Sequence, residues 1–331
     1  MGQRAQRYGG MGGVPLPPAP MLAMAGQPPS GPEWVVEPKF DGARCASRID
    51  AERVELFSRY SNNLSASFPE VVNGCAALSD RGAILDGEIV VLDATGRPNF
   101  QLLQRRLHVA RPPKSLTTRL AARLVVFDVL YLDGHDLTAL SYRDRRAALD
   151  ALHIDELAAE LATSPAWTGV DGHQVLQAMA EAGMEGIVSK AATSSYQAGR
   201  RTRQWVKTPY RQSSHFAIGG YVPARAPGAS VGSVLVGAYD PSGALTYCGS
   251  ISVGFTQRTR HELHTRLARI HQAASPFSCY WNGQEHQVVR WVAPVIVGRI
   301  EYREFTGRLR HGAWKGIVEV DARDVCLPDI R

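Results

Sequence analysis

The stretch EPKFDGAR, Glu37 to Arg44, sets a lysine in an apolar strand-like run just before an Asp-Gly turn. Lysine is scarce in this chain. Of 37 basic residues only five are lysine, Lys39, Lys114, Lys190, Lys207 and Lys315, and the other 32 are arginine. A GC-rich coding bias accounts for the arginines but leaves each surviving lysine to be explained. A guanidinium keeps its proton at any accessible pH, whereas an ammonium set near other cations can lose it and expose a nucleophilic lone pair. Taken alone, Lys39 reads as a solvated strand lysine; followed by Asp41-Gly42 and Arg44 it reads as a residue that forms a bond.

The surrounding chain has room for two domains: 331 residues, 44% hydrophobic, enough to bury cores without staples. A net charge of +6 and a pI near 9.2 fit a polyanionic partner, although a solvated basic surface has the same signature. The five cysteines, Cys45, Cys75, Cys248, Cys279 and Cys326, are far apart and form no CxxC pair, which argues against a disulfide framework and a structural zinc. No window reaches 18 uninterrupted apolar residues, and Met1 to Gly31 has no apolar core of a signal peptide. The expectation is a soluble cytoplasmic protein with no membrane attachment. Residues 1–20, rich in Gly and Pro, read as a disordered tail.

From Trp34 onward, β-rich runs (WVVEPKF, RVELFSR, GAILDGEIVVLD, RLVVFDVLYLDG, EGIVSK) alternate with helical stretches such as YRDRRAALDALHIDELAAEL, 142–161. Turns at Asp93–Gly96 and Asp133-Gly134 imply antiparallel pairing, hence an α+β domain over 21–210. After WVKTPY the pattern changes to alternating strands with Gly/Pro turns and one amphipathic helix, RTRHELHTRLARIHQ, 258–272. A small β-barrel over 211–331 is the expectation, with 208–215 as a hinge.

KFDGAR is followed in order by SRYSNNL, LDGEIV, VVFDVLYLDG, EGIVSK and WVKTPY. In that order and spacing the six patterns resemble the ATP-dependent DNA ligases, and within them the ligase module of bacterial end-joining and repair ligases. The resemblance implies a mixed α/β nucleotidyltransferase (adenylation) domain with antiparallel sheets, followed by an OB-fold domain. It also implies a monomeric, nucleoid-associated bacterial enzyme that seals nicks in duplex DNA through a lysyl-AMP and a 5′-adenylylated DNA. Its cofactors would be ATP and Mg2+, with Mn2+ as substitute.

In this resemblance Lys39 is the nucleophile, and Lys190, Lys207 and Arg44 are cations that lower its pKa and stabilise the transferring phosphate. Lys207 touches the α-phosphate above a packed Trp205, backbone near Glu37 reads the adenine edge, and Phe127 stacks on the base. Glu88 meets the ribose, and Glu185, Asp41 and Glu88 are the metal candidates. Glu88 and Glu185 sit inside apolar strands, where a carboxylate needs a partner; the bland reading gives each an arginine, as it gives Phe127 to the core. Arg59, Arg200, Arg201 and Arg203 are candidates for DNA phosphates, or are simply solvated. Arg310 and Lys315 would orient the pyrophosphate.

Two positions depart from the family pattern. Pro209 stands where a second lysine is usual, and Val318 where an arginine is, so that self-adenylylation would be slow or would lean on Arg308, Arg310, Lys315 or Arg323. The rival readings are an RNA ligase, an mRNA-capping guanylyltransferase, or a DNA-binding relative with a decayed site.

Overall fold

The computed structural model describes residues 13–224, 230–278 and 289–328. Most of the expected tail, Cys279 and the first residues of the expected strand HQVVRWV lie outside the described residues. The chain divides into two compact units, Met1–Tyr210 and Arg211–Arg331.

The strands of the first unit are β1 Leu22–Ala25, β2 Trp34–Lys39, β3 Ala43–Ile49, β4 Val54–Ser58, β5 Ala83–Val91, β6 Ala122–Leu132, β7 His135–Asp136, β8 Leu161–Thr163, β9 Trp167–Thr168, β10 Gly186–Ala191 and β11 Arg201–Pro209. They form two sheets, ordered β1-β11-β10-β2-β9 and β4-β3-β5-β6-β7, the second joined by β8 along β6. Pairing is antiparallel except for β1 on β11 and β8 on β6.

Period-two alternation gives the second sheet two different faces. On β5, Ala83, Leu85, Ile89 and Val91 turn into a core with Phe68, Val71, Leu103, Leu124, Val126 and Leu149, supplied largely by flanking helices. Each such buried Leu or Ile contributes roughly 1.5–3 kcal/mol relative to exposure. The intervening Asp86 and Glu88 therefore emerge on the opposite face. Hydrophobic burial on one side is what aims the carboxylates on the other.

The expected helix 142–161 is broken. It runs Tyr142–Asp150, stops at His153 with φ 48°, restarts for Ile154–Leu157 and ends in β8. Ser141 caps the first segment, accepting from the Asp144 N–H, and Tyr142, Arg145 and Leu149 face inward. The break lets Leu161 pair with Leu124 of β6, a long-range contact that local periodicity does not show.

Part of the expected tail also belongs to the fold. Val14 and Met21 are buried beside Ile84, Phe127, Leu130, Tyr196 and Trp205, and the Val14 carbonyl accepts from Arg48 Nε at 2.7 Å. Apolar residues among the prolines, and β11 as a strand edge, order a segment whose composition suggests disorder.

In the second unit the strands are β12 Gln212–Pro223, β13 Val231–Tyr239, β14 Leu245–Ile251, β15 Arg290–Trp291, β16 Val297–Tyr302, β17 Glu304–Phe305, β18 Leu309–Arg310 and β19 Ala313–Val318. An antiparallel sheet β14-β13-β12-β16-β19 wraps a core containing Phe216, Val234, Val236, Ile300 and Trp314. The helix Gln257–Ala268, capped by Thr256, buries Leu263 and Leu267 against it. The expected hinge 208–215 shrinks to Tyr210 and Arg211, because β11 continues to Pro209 and β12 already pairs with β16 from Gln212.

Candidate active site

In-register rows across β2, β10 and β11 build one wall of the site. Glu37, Val188 and Lys207 are successive cross-strand partners, as are Val35, Lys190 and Trp205, and Lys39 stands opposite Gly186. Partners across antiparallel strands share a face, so Glu37, Lys39, Lys190, Trp205 and Lys207 project together. The facing wall comes from β3, β5 and β6, where Arg44 pairs with Glu88, and Glu88 with Val125. Between the walls lies a cavity of about 810 Å³, lined by Glu37, Lys39, Arg44, Glu88, Phe127, Lys190, Trp205 and Lys207.

Two glycines make this closeness feasible. A Cβ on Gly42 would stand 2.3 Å from the Ile89 carbonyl oxygen and 2.7 Å from Glu88 Cγ. Gly186 has φ +149°, and a Cβ there would meet the Thr208 carbonyl at 2.3 Å, keeping β10 and β11 apart beside Glu185.

Lys39 Nζ donates to Glu185 Oε2, and both side chains are half-buried. Lys207 forms no ion pair among the described residues; burial, then the nearby Lys39 and Arg201 charges, lower its pKa. Arg44 and Lys190, expected as cations for the phosphate, already have partners. Arg44 donates to both oxygens of Asp86 at 2.6 Å. Burial opposes its charge, yet the Asp86 carboxylate outweighs this and raises its pKa. Lys190 is 1% exposed, 2.9 Å from Glu37 Oε2, and donates to the Phe127 carbonyl at 3.1 Å. Its Nζ lies 4.5 Å from the ring centres of Phe127, Tyr142 and Trp205. Lys190 thus lines the cavity floor with its charge already paired to Glu37. Burial lowers its pKa and raises that of Glu37, each against the attraction of the other.

Phe127 fills both of its expected places: it packs in a core cluster and lines the cavity, with Arg44 Cζ 4.5 Å from its ring centre. Of the expected DNA contacts, Arg59 and Arg201 line the cavity, Arg201 donating to the Ala23 carbonyl at 2.5 Å. Arg200 and Arg203 are exposed and do not line it. In the second unit Arg310 lies 3.5 Å from Glu304 and Lys315 2.7 Å from Glu301. Arg308 sits over Tyr247 at 4.4 Å. Cys45, Cys75, Cys248 and Cys326 are free thiols.

Sequence reasoning missed a hydrogen-bonded ring. The Met21 N–H donates to Tyr196 Oη at 3.0 Å, Tyr196 Oη donates to Asp86 at 2.6 Å, Asp86 holds Arg44, and Arg44 Nη2 donates back to the Met21 carbonyl at 3.4 Å. Asp86 lies two residues before Glu88 in LDGEIV, so the period of two was the available signal. Tyr142, which donates to Glu37, gave none.

The cavity suits a nucleotide: its volume is that of a ligand site, with an aromatic wall, Lys39 and Lys207. The expected metal candidates are Glu185, Asp41 and Glu88; among the described residues no group of three His, Cys, Asp or Glu side chains poised to hold a metal occurs. That donor set fits a Mg2+ bound mainly by phosphate oxygens, with one or two carboxylates from Glu185, Asp41 or Glu88.

Burial, opposed by Arg44 and Lys39, raises the Glu88 pKa from the usual 4.5 to about 7. Between those values the folded protein holds a proton that the unfolded chain has lost, so stability must fall as pH rises through this window. Urea midpoints of Glu88→Gln and the wild type should agree near pH 5, with the variant gaining by pH 8. A gap that does not widen with pH contradicts a raised Glu88 pKa.

A lysine on a strand end, with Lys207 two strands away in the same sheet and a nucleotide-sized cavity beside both, is an arrangement suited to nucleotidyl transfer. Comparison with known proteins gives the family. The model of the ATP dependent DNA ligase domain matches residues 20–208, and that of the ATP dependent DNA ligase C terminal region residues 227–320. The chain belongs to the ATP-dependent DNA ligases, with an adenylation domain followed by an OB-fold domain. It is 34% identical over 304 residues to the multifunctional non-homologous end joining DNA repair protein LigD of Mycobacterium tuberculosis, covering 90% of this chain but 38% of that protein. It is 30% identical over 328 residues to DNA ligase C2 of Mycolicibacterium smegmatis, covering 96% of this chain and 86% of that one. The crystal structure of the ligase domain from M. tuberculosis LigD matches with a TM-score of 0.55 at 31% identity, over 94% of this chain and 98% of that one.

Proposed function

We propose that this chain seals nicks in duplex DNA with ATP, through an adenylate carried on Lys39. The observation that carries the reading is that Lys39, paired with Glu185, and Lys207 line one nucleotide-sized cavity. Lys39 Nζ attacks the α-phosphorus of ATP, the bond to the bridging oxygen breaks and pyrophosphate leaves. Glu185 Oε2, already hydrogen-bonded to Nζ, takes the amine's proton. A 5′-phosphate oxygen at the nick then displaces Lys39 from the adenylate, the amine taking back the proton held by Glu185, and the 3′-hydroxyl attacks the activated 5′-phosphorus, losing its proton to solvent as AMP departs. Lys207 offsets negative charge on the phosphates during each displacement. When bound, Mg2+ supplies further charge neutralisation on phosphate oxygens.

Arg310 and Lys315, paired with Glu304 and Glu301 within the OB-fold unit, are the candidates for orienting the pyrophosphate. The protein acts as a monomer in the bacterial cytoplasm. The test is a comparison of nicked DNA with nicked RNA as acceptor and ATP with GTP as donor. Efficient sealing only of DNA with ATP supports the reading; equal or better use of RNA, or of GTP, sinks it.

Asp86 acts here through Arg44. Asp86→Asn cannot accept from both guanidinium nitrogens, and Arg44 is then drawn to its strand neighbour Glu88. Lysyl-AMP formation should fall roughly 10–100-fold, the usual loss on removing an outer-shell partner, with partial rescue by Asp86→Glu. Labelled AMP retained after denaturation measures it.

A further inference from the structure

We propose that the acid-free segment 94–127 forms a basic wall that holds the backbone phosphates of the duplex beside the nick; this rests on the ligase reading above. Between Asp93 and Asp128 there is no Asp or Glu in a chain that has 31 of them, while Arg97, Arg105, Arg106, Arg111, Lys114, Arg119 and Arg123 fall in this span. Only Arg106 is used internally: it is fully buried and donates to Glu70 at 2.7 Å and to the Leu120 carbonyl at 2.6 Å. Arg105, Arg111, Lys114, Arg119 and Arg123 are exposed and make no ion pair among the described residues.

The topology sets these cations at the mouth of the cavity. The segment leaves β5 and returns in β6, with Val91 paired to Ala122 and Val90 to Arg123. This is the end of the sheet where Ala43 pairs with Ile89 and where a Cβ on Gly42 would stand 3.0 Å from Val90 Cγ1, so it adjoins the turn that follows Lys39. Leu107 and His108 of the segment line the cavity, and Arg105 is one helical turn from His108. The Arg111 N–H donates to the Ala66 carbonyl at 2.7 Å, next to Ser67, another lining residue.

A duplex fits this surface better than an acidic polypeptide does. The reaction must bring a strand's phosphate to Lys39, and the same segment that supplies the cavity wall supplies the cations. The helix Phe100–Leu107 is about 12 Å long, the rise of three to four base pairs. Arginine is suited to hold phosphates along such a track.

The test is the salt dependence of nicked-duplex binding by the full chain and by the triple variant Arg105→Ala, Arg111→Ala, Lys114→Ala, with lysyl-AMP formation as control. Each lost phosphate contact should make the slope of log Kd against log salt shallower by about 0.9, so a drop of roughly 2–3 is expected. Lysyl-AMP formation should be unchanged, and the double variant Arg105→Lys, Arg111→Lys, with Lys114 kept, should retain the wild-type slope. An unchanged slope in a folded, adenylylating variant overturns the proposal and returns these residues to solvent. Loss of poly-glutamate binding with duplex binding intact overturns it in favour of an acidic protein partner. A wild-type chain that neither adenylylates nor binds nicked duplex sinks the ligase reading itself, and this surface with it.

Discussion

Lys39→Ala will carry no adenylate and seal no nicks, while folding as the wild type does. Lys39 lies at the end of β2, half-buried, and its side chain contributes one ion pair with Glu185. Removing it leaves the rows through Glu37 and Val35 in place, so the stability change should stay within about 1 kcal/mol, as for a partly exposed pair. The chemical change is total, because the P–N bond to this amine is itself the intermediate. A mass spectrum of the protein after ATP and Mg2+ should show an added AMP on the peptide containing Lys39, and none on the variant. An adduct of equal amount on both proteins would place the nucleophile elsewhere. Lys39→Arg should fail as completely as alanine, since a guanidinium does not give up its proton.

Arg145→Met will be the most destabilising of the simple substitutions in the first unit, without touching the cavity. Arg145 and Asp128 are both fully buried and joined by two 2.8 Å hydrogen bonds, and Arg145 also donates to the carbonyls of Leu140 and Ser194. Methionine leaves Asp128 as a buried charge without its partner, a loss of about 3–5 kcal/mol. The double variant Arg145→Met with Asp128→Leu should recover much of that loss, because two apolar groups in place of a buried pair cost little. Urea unfolding of the four proteins measures the cycle; a double variant no more stable than Arg145→Met would show that the carbonyl contacts, not the charge, dominate.

Local patterns announced much of this molecule. Alternation marks the strands, Asp133-Gly134 closes its hairpin, RTRHELHTRLARIHQ marks the helix Gln257–Ala268, and KFDGAR marks Lys39 as the candidate nucleophile. The short runs LDGEIV, EGIVSK and WVKTPY likewise mark Glu88, Glu185 and Lys207, which do line or adjoin one cavity. What local period does not show is pairing between residues far apart: Val14 with Arg48, Leu161 with Leu124 where the long helix breaks, and Gln212 with Tyr302 at the start of β12.

Residue type settles which side chains have the chemistry, since it fixes whether a group can be a nucleophile, a carboxylate or a permanent cation. Their pairing arises only on folding. Lys39, Lys190 and Lys207 look alike as letters, yet one meets Glu185, one is sealed under Glu37 and three aromatic rings, and one makes no ion pair among the described residues. Charge compensation depends on distances of a few ångströms between strands separated by up to about 150 positions, and those distances exist only after the sheets have formed.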